Sequence, residues 1–161
     1  MARFYQPIKW GFVTKLFGRV GYIKSLGNRS VPLFERFFMG GPNSLRGFDL
    51  WTVGPRLRIA SGPAGGDVDF VYGGNKMLQL NWELEAPLYG PGGLKVVTFI
   101  DAGNAFAEEE GINLKSLRAN YGAGIRWISP LGPLRFEWGF PFKRRPGESK
   151  VVFNFTIGEF F

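Results

Sequence analysis

The 161-residue chain has neither cysteine nor histidine. Disulfide frameworks, thiolate–imidazole or serine–imidazole pairs and ordinary zinc sites are thereby excluded, which leaves carboxylate, lysine, tyrosine or serine chemistry. Long hydrophobic runs are also missing: no uncharged stretch reaches ten residues, whereas a membrane-crossing helix needs about 20 apolar ones. Met1-Ala2-Arg3-Phe4 leads into Pro7 and Trp10 without the apolar segment of a secretory leader. An exported protein with this sequence is therefore expected to be a mature or excised piece. Methionine is scarce at 3, while glycine, at 24, and phenylalanine, at 17, are abundant. That balance favours strands and turns and argues against an all-α fold.

Charge is lopsided, 20 Lys+Arg against 13 Asp+Glu for a net +7. Nucleic-acid binding would call for a basic patch interleaved with stacking aromatics, but the cations are spread along the chain. The densest group, Lys143-Arg144-Arg145, runs into Pro146-Gly147 and reads as a charged turn between strands. No nucleic-acid partner is expected.

Two-residue alternation recurs six times. In Met77 to Glu85, Gln79, Asn81, Glu83 and Glu85 lie opposite Leu78, Leu80, Trp82 and Leu84. Arg135 to Phe140 repeats the pattern. In Tyr121 to Trp127, Tyr121, Ala123, Ile125 and Trp127 oppose Gly122, Gly124 and Arg126. Lys95, Val97, Phe99 and Asp101 share a face opposite Val96, Thr98 and Ile100, and Val151, Phe153, Phe155, Ile157 and Phe161 oppose Val152, Asn154, Thr156 and Gly158. The weakest case runs from Trp10 to Tyr22. The periodicity predicts strands over about 10–22, 76–85, 94–106, 119–128, 134–141 and 150–161.

Pro87 to Gly93 and Ser129 to Pro133 are compact Pro/Gly turns, whereas about 23–74 forms one long Gly- and Pro-rich connection. Short turns at one end, long loops at the other, aromatic outer faces and polar inner ones describe an antiparallel up-and-down transmembrane β-barrel. A soluble β-sandwich is the alternative, since its strands alternate too. A barrel in lipid must close, because an open edge leaves backbone groups unpaired. Six strands are too few, so the chain is expected to be the C-terminal part of a larger barrel domain over 1–161, or to close with other copies. Outside a membrane such a piece is expected to self-associate through its apolar face or its edges.

The long connection contains Gly40-Gly41-Pro42-Asn43-Ser44-Leu45-Arg46-Gly47-Phe48. Arg46 carries a rigid five-donor fork between apolar neighbours, and a buried guanidinium needs a carboxylate. Asp101 and Glu85 both project from polar faces and are candidates; the alternative is a solvated loop tip. Glu83 with Glu85 or Glu137 is the one arrangement with a glycosidase-like carboxylate pair, but a polar lumen explains it without catalysis. No catalytic residue, metal ligand or cofactor is assigned.

In this order, Leu45-Arg46-Gly47-Phe48, the strand Phe99-Ile100-Asp101-Ala102-Gly103, the run Gly122 to Leu134 with Trp127 and Ser129-Pro130-Leu131-Gly132-Pro133-Leu134, and the aromatic ending Val151 to Phe161 resemble the outer-membrane assembly-factor (bacterial surface antigen) superfamily. The resemblance spans the chain from about Trp10 onward. It implies that the loop folds into the barrel lumen, that Arg46 pairs with Asp101, with Glu85 a second lumen acid, and that Phe153, Phe155, Ile157, Gly158 and Phe161 form a C-terminal β-signal at a weak barrel seam. It further implies a Gram-negative outer-membrane location, insertion of unfolded outer-membrane proteins without a cofactor, and accessory lipoproteins that dock on POTRA domains not found in this sequence. The alternative within the same superfamily is a polypeptide-translocating barrel of the two-partner-secretion or translocation-assembly type.

Overall fold

The computed structural model describes residues 1–27, 30–59, 68–89, 93–130 and 132–158. Nine strands occur among them: β1 (Ala2–Pro7), β2 (Val13–Tyr22), β3 (Arg56–Ile59), β4 (Val68–Val71), β5 (Lys76–Tyr89), β6 (Leu94–Phe106), β7 (Arg118–Ser129), β8 (Gly132–Pro141) and β9 (Val152–Ile157). Seven form one antiparallel sheet in the order β1-β2-β5-β6-β7-β8-β9, and β3 and β4 make a separate hairpin. The sheet does not close on itself within this chain.

The main sheet thus holds seven strands rather than the six that alternation predicts. The additional strand is β1, which pairs along β2 from Ala2 opposite Gly18 to Pro7 opposite Val13. It is only six residues long, ends in proline and lies at the edge of the sheet, so its strand character comes from the partner it pairs with rather than from local pattern. The chain between β1 and β2 turns through a short 3-10 segment at residues 9–11, where Trp10 adopts φ +62°; Trp10 therefore does not begin β2. The 23–74 connection, expected to be one loop, contains the β3–β4 hairpin. β5 extends past Glu85 to Tyr89, with a register shift between Pro87 and Tyr89.

Connections alternate in length along the sheet. Residues 8–12, 90–93 and 130–131 link strands at one end, and the long segments 23–75, 107–117 and 142–151 do so at the other. The two faces of the sheet differ in kind. On the outer face Leu80, Trp82, Ile100, Ile125, Trp127, Phe153 and Phe155 are exposed. Phe136 packs against Phe155 and Trp138 against Phe153 with tilted rings, at 5.0 and 5.3 Å between ring centroids. On the inner face Val97, Phe99, Asp101, Asn120, Arg126, Arg135 and Glu137 are buried, because residues 37–54 of the long connection fold down over them. The hydrophobic core lies between that loop and the sheet: Met39, Leu45, Phe48 and Val53 from the loop pack with Met77 of β5 and Ala105 of β6.

Candidate functional site: a loop arginine on the inner face

The loop is shaped by local backbone chemistry before any side chain reaches the sheet. Gly41 N–H donates to the carbonyls of Leu45 and Phe48, and Gly40 N–H donates to Ser44 Oγ at 2.9 Å. Gly40 sits at φ +107°, and a Cβ there would lie 2.2 Å from the Asp49 carbonyl oxygen, so only glycine fits. Two short bridges, Phe37 with Gly74 and Met39 with Val53, hold the loop's stem. This tight reversal carries Leu45 and Phe48 into the core and turns Arg46 between them toward the sheet.

Arg46 is 2% exposed. Its fork meets Asp101 of β6 through Nε to Oδ2 at 2.9 Å and Nη2 to Oδ1 at 2.6 Å, and its backbone N–H donates to the same carboxylate at 3.1 Å. Asn81 and Asn120 donate to Asp101 at 2.7 and 3.0 Å, so five donors converge on one carboxylate. Such saturation offsets the cost of burying the charge. Arg46 Nη1 reaches Glu83 at 2.5 Å and Glu137 at 3.5 Å, and the guanidinium lies 3.5 Å from the centroid of the Phe99 ring. Phe48 lies under the Arg118 guanidinium, 4.7 Å from it.

Glycines let the loop come this close. A Cβ on Gly139 of β8 would lie 2.4 Å from the Arg46 carbonyl oxygen, and one on Gly47 would lie 2.4 Å from Asn120 Cβ. Gly122 is likewise filled by the ring of Phe99, 2.3 Å from where its Cβ would stand. The polar-side glycines of β7 and β8 are therefore hollows into which the loop and its supporting ring settle.

Glu85, the second acid expected beside Arg46, is not one of its partners. It accepts from Lys15 at 2.7 Å and from Arg126, with Lys95 at 3.6 Å. Glu83 and Glu137 take the place expected for it, because strand register sets Glu83 nearer to Asp101's level and brings Glu137 across from β8. Arg126 ties these acids together, donating to Glu83 at 2.9 Å and to Glu137 at 2.6 Å, while Arg135 reaches Glu137 at 2.8 Å. Five cations (Lys15, Arg46, Lys95, Arg126, Arg135) thus interlock with four acids (Glu83, Glu85, Asp101, Glu137). Each of these carboxylates is engaged by at least one cation of the cluster. Among the described residues no group of three or more acidic side chains is arranged to hold a metal.

Alternation placed Glu83, Glu137, Arg126 and Arg135 on the polar face but could not say which would meet the loop. Asn81, Gln79 and Asn154 are legible only as polar positions, and Asn120, just before the Tyr121–Trp127 alternation, is not singled out by it; Gln79 and Asn81 donate to the carbonyls of Asn43 and Ser44 at 3.1 and 2.8 Å. In the C-terminal segment Phe153, Phe155 and Ile157 are exposed on the outer face, and Gly158 N–H donates to the Pro133 carbonyl at 2.9 Å. Phe161 lies outside the described residues, as do Leu131 and the tip of the Pro87–Gly93 turn at 90–92.

An Omp85 superfamily domain matches residues 1–161, the whole chain. The chain belongs to the Omp85 superfamily. Among its Omp85 relatives, the outer membrane protein assembly factor BamA of Nitratidesulfovibrio vulgaris is 36% identical over 146 residues, covering 89% of this chain and 17% of the relative. BamA of Neisseria meningitidis serogroup B is 30% identical over 183 residues, covering 96% of this chain and 22% of the relative. The chain thus spans about a fifth of the length of these relatives. The crystal structure of BamA from Haemophilus ducreyi lacking POTRA domains 1–3 superposes with a TM-score of 0.80 at 26% identity, over 95% of this chain and 32% of that one. The seven-stranded sheet is therefore a fragment of a transmembrane Omp85 β-barrel, its apolar outer face turned to lipid and its loop-bearing face to the lumen. A soluble sandwich does not account for it.

Proposed function

We propose that this chain is part of an outer-membrane β-barrel assembly factor, resident in the bacterial outer membrane, that folds and inserts other β-barrel proteins without a bound cofactor. The observation that carries the reading is the Arg46 fork on Asp101, which seats the Leu45-Arg46-Gly47-Phe48 loop on the luminal face of an Omp85 barrel. The names of the relatives point to assembly rather than catalysis. In mechanism, β9 pairs with β8 along six residues and offers its other edge to a further strand. An incoming strand of an unfolded client can add to such an edge by backbone hydrogen bonding alone, with affinity from the main chain and selection from alternate side chains. The lumen loop braces the wall next to that edge. The outer apolar belt contacts bilayer lipid, and accessory assembly lipoproteins would act through POTRA domains.

The test is assembly of a client outer-membrane protein into liposomes by the full-length protein carrying Arg46→Ala. Assembly should fall and protease should cut the loop around residues 40–50. Wild-type assembly with a protease-resistant loop would contradict the proposal.

A further inference from the structure

We infer that Asn154 is a positioning residue that couples the buried ion cluster to the terminal strand β9. The inference rests on the reading of β9 as the seam strand and adds a device that sets how readily that strand opens.

β9 is held more lightly than its neighbours. It pairs with β8 along six residues, from Val152 opposite Gly139 to Ile157 opposite Leu134, whereas β7 and β8 pair along ten and β5 and β6 along thirteen. Its outer side chains Phe153 and Phe155 pack against Trp138 and Phe136, but those rings face lipid, which replaces such contacts at little cost. On the luminal side Asn154 is buried, and its Nδ2 donates to the Arg46 carbonyl at 2.8 Å. Among the described residues this is the one hydrogen bond that a β9 side chain makes to the lumen loop.

The acceptor is fixed by the cluster. The same residue that offers its carbonyl to Asn154 spends its guanidinium on Asp101, Glu83 and Glu137 and its N–H on Asp101. Gly139 lets that carbonyl lie directly against β8, beside the register position of Val152. If the cluster loosens, Asn154 loses its partner; if β9 peels away, the buried Arg46 carbonyl loses its donor. Each event makes the other easier, as thermodynamic linkage requires. Seated, the loop keeps the edge strand on the sheet; displaced, for instance by a chain entering the lumen, it releases β9.

The experiment is amide hydrogen exchange in the full-length protein in nanodiscs. Asn154→Leu, of similar volume but without the donor, should speed exchange of the Val152–Ile157 amides about five- to tenfold, the scale of one lost buried hydrogen bond, with β5 and β6 unchanged. Asn154→Gln, which keeps the amide donor, should recover part of the protection. In an Arg46→Lys background, which keeps the charge but loses the bidentate fork on Asp101, β9 should already exchange faster, and Asn154→Leu should add little more. Unchanged β9 exchange in Asn154→Leu overturns the coupling, and so does an equal increment in both backgrounds. Client assembly measured on the same variants reports separately on the function of the barrel: a loss of β9 protection without a change in assembly upholds the coupling and counts against the seam reading.

Discussion

The two faces of the sheet are built by different rules. The outer face asks mainly that side chains be apolar: Leu80, Ile100, Ile125 and Trp127 are exposed there, and Trp82, exposed beside them, adds one hydrogen bond from its Nε1 to Thr14 Oγ1 at 2.9 Å. The inner face asks for particular partners at particular heights, because charges removed from water are tolerated only when matched. There Arg46, Arg126 and Arg135 are matched to Asp101, Glu83 and Glu137 with distances of 2.5 to 3.5 Å. Sensitivity should therefore be uneven: the outer face should tolerate changes within a chemical class, and the inner face should not.

The sharpest way to break that contrast is Arg46→Ala, which takes the guanidinium from Asp101 and weakens the hold on Glu83 and Glu137. Breaking a buried pair by removing one partner costs about 3–5 kcal/mol, so the unfolding midpoint in detergent should fall steeply. A drop no larger than that of an outer-face Leu80→Val would erase the distinction. On the other face, Ile100→Arg puts a charge in the middle of β6 toward lipid and should cost about 2–4 kcal/mol at the bilayer midplane, while Ile100→Leu should be nearly silent; lipid-vesicle folding titrations separate the two. Next comes Gly139→Val, whose side chain would press on the Arg46 carbonyl. Overpacking of this kind costs about 1–3 kcal/mol, and it should appear as faster protease cutting of the loop although valine is the better strand former.

The smallest effect concerns the long-loop end of the sheet, in the 142–151 connection. Burial pushes the Glu148 carboxyl up, but the Arg118 hydrogen bond, the Arg145 N–H and the charges of Arg118 and Arg56 outweigh it and hold the group below its ordinary value. Arg118 lies 2.6 Å and Arg56 3.2 Å from it. A depressed carboxylate stabilises the folded state above the ordinary value of about 4.3 and ceases to do so as pH falls through the lower folded value. Exchange of the 142–151 amides should therefore be flat from neutral pH down to about pH 5, after correction for intrinsic rates, and rise only below about pH 4. The Glu148→Gln variant should lack that rise.

The same contrast explains what could be read in the sequence. Strands β5 to β9 announce themselves because lipid on one side and polar lumen on the other impose a period of two. β1 did not, being short, proline-ended and stabilised by β2 rather than by its own pattern. The Leu45-Arg46-Gly47-Phe48 loop was legible as a motif, and Asp101 as an acid on the right face. Glu85 was a fair candidate by the same criterion, yet it lies two residues along from Glu83 and meets Lys15 and Arg126 instead. Alternation names a face; it does not rank the positions along it, and register between non-adjacent strands decides which acid an arginine reaches. Asn154 was hidden for that reason: its partner is a backbone carbonyl 108 positions earlier.

The central claim, that the loop is locked to the wall through the Arg46–Asp101 fork, is tested most directly by a double-mutant cycle with Arg46→Ala and Asp101→Ala, read as unfolding free energy in one detergent or lipid system. The account predicts strong coupling, of about 1.5–3 kcal/mol, with the double variant much less impaired than the sum of the singles. Additive losses would mean that the two residues act independently, and would contradict it.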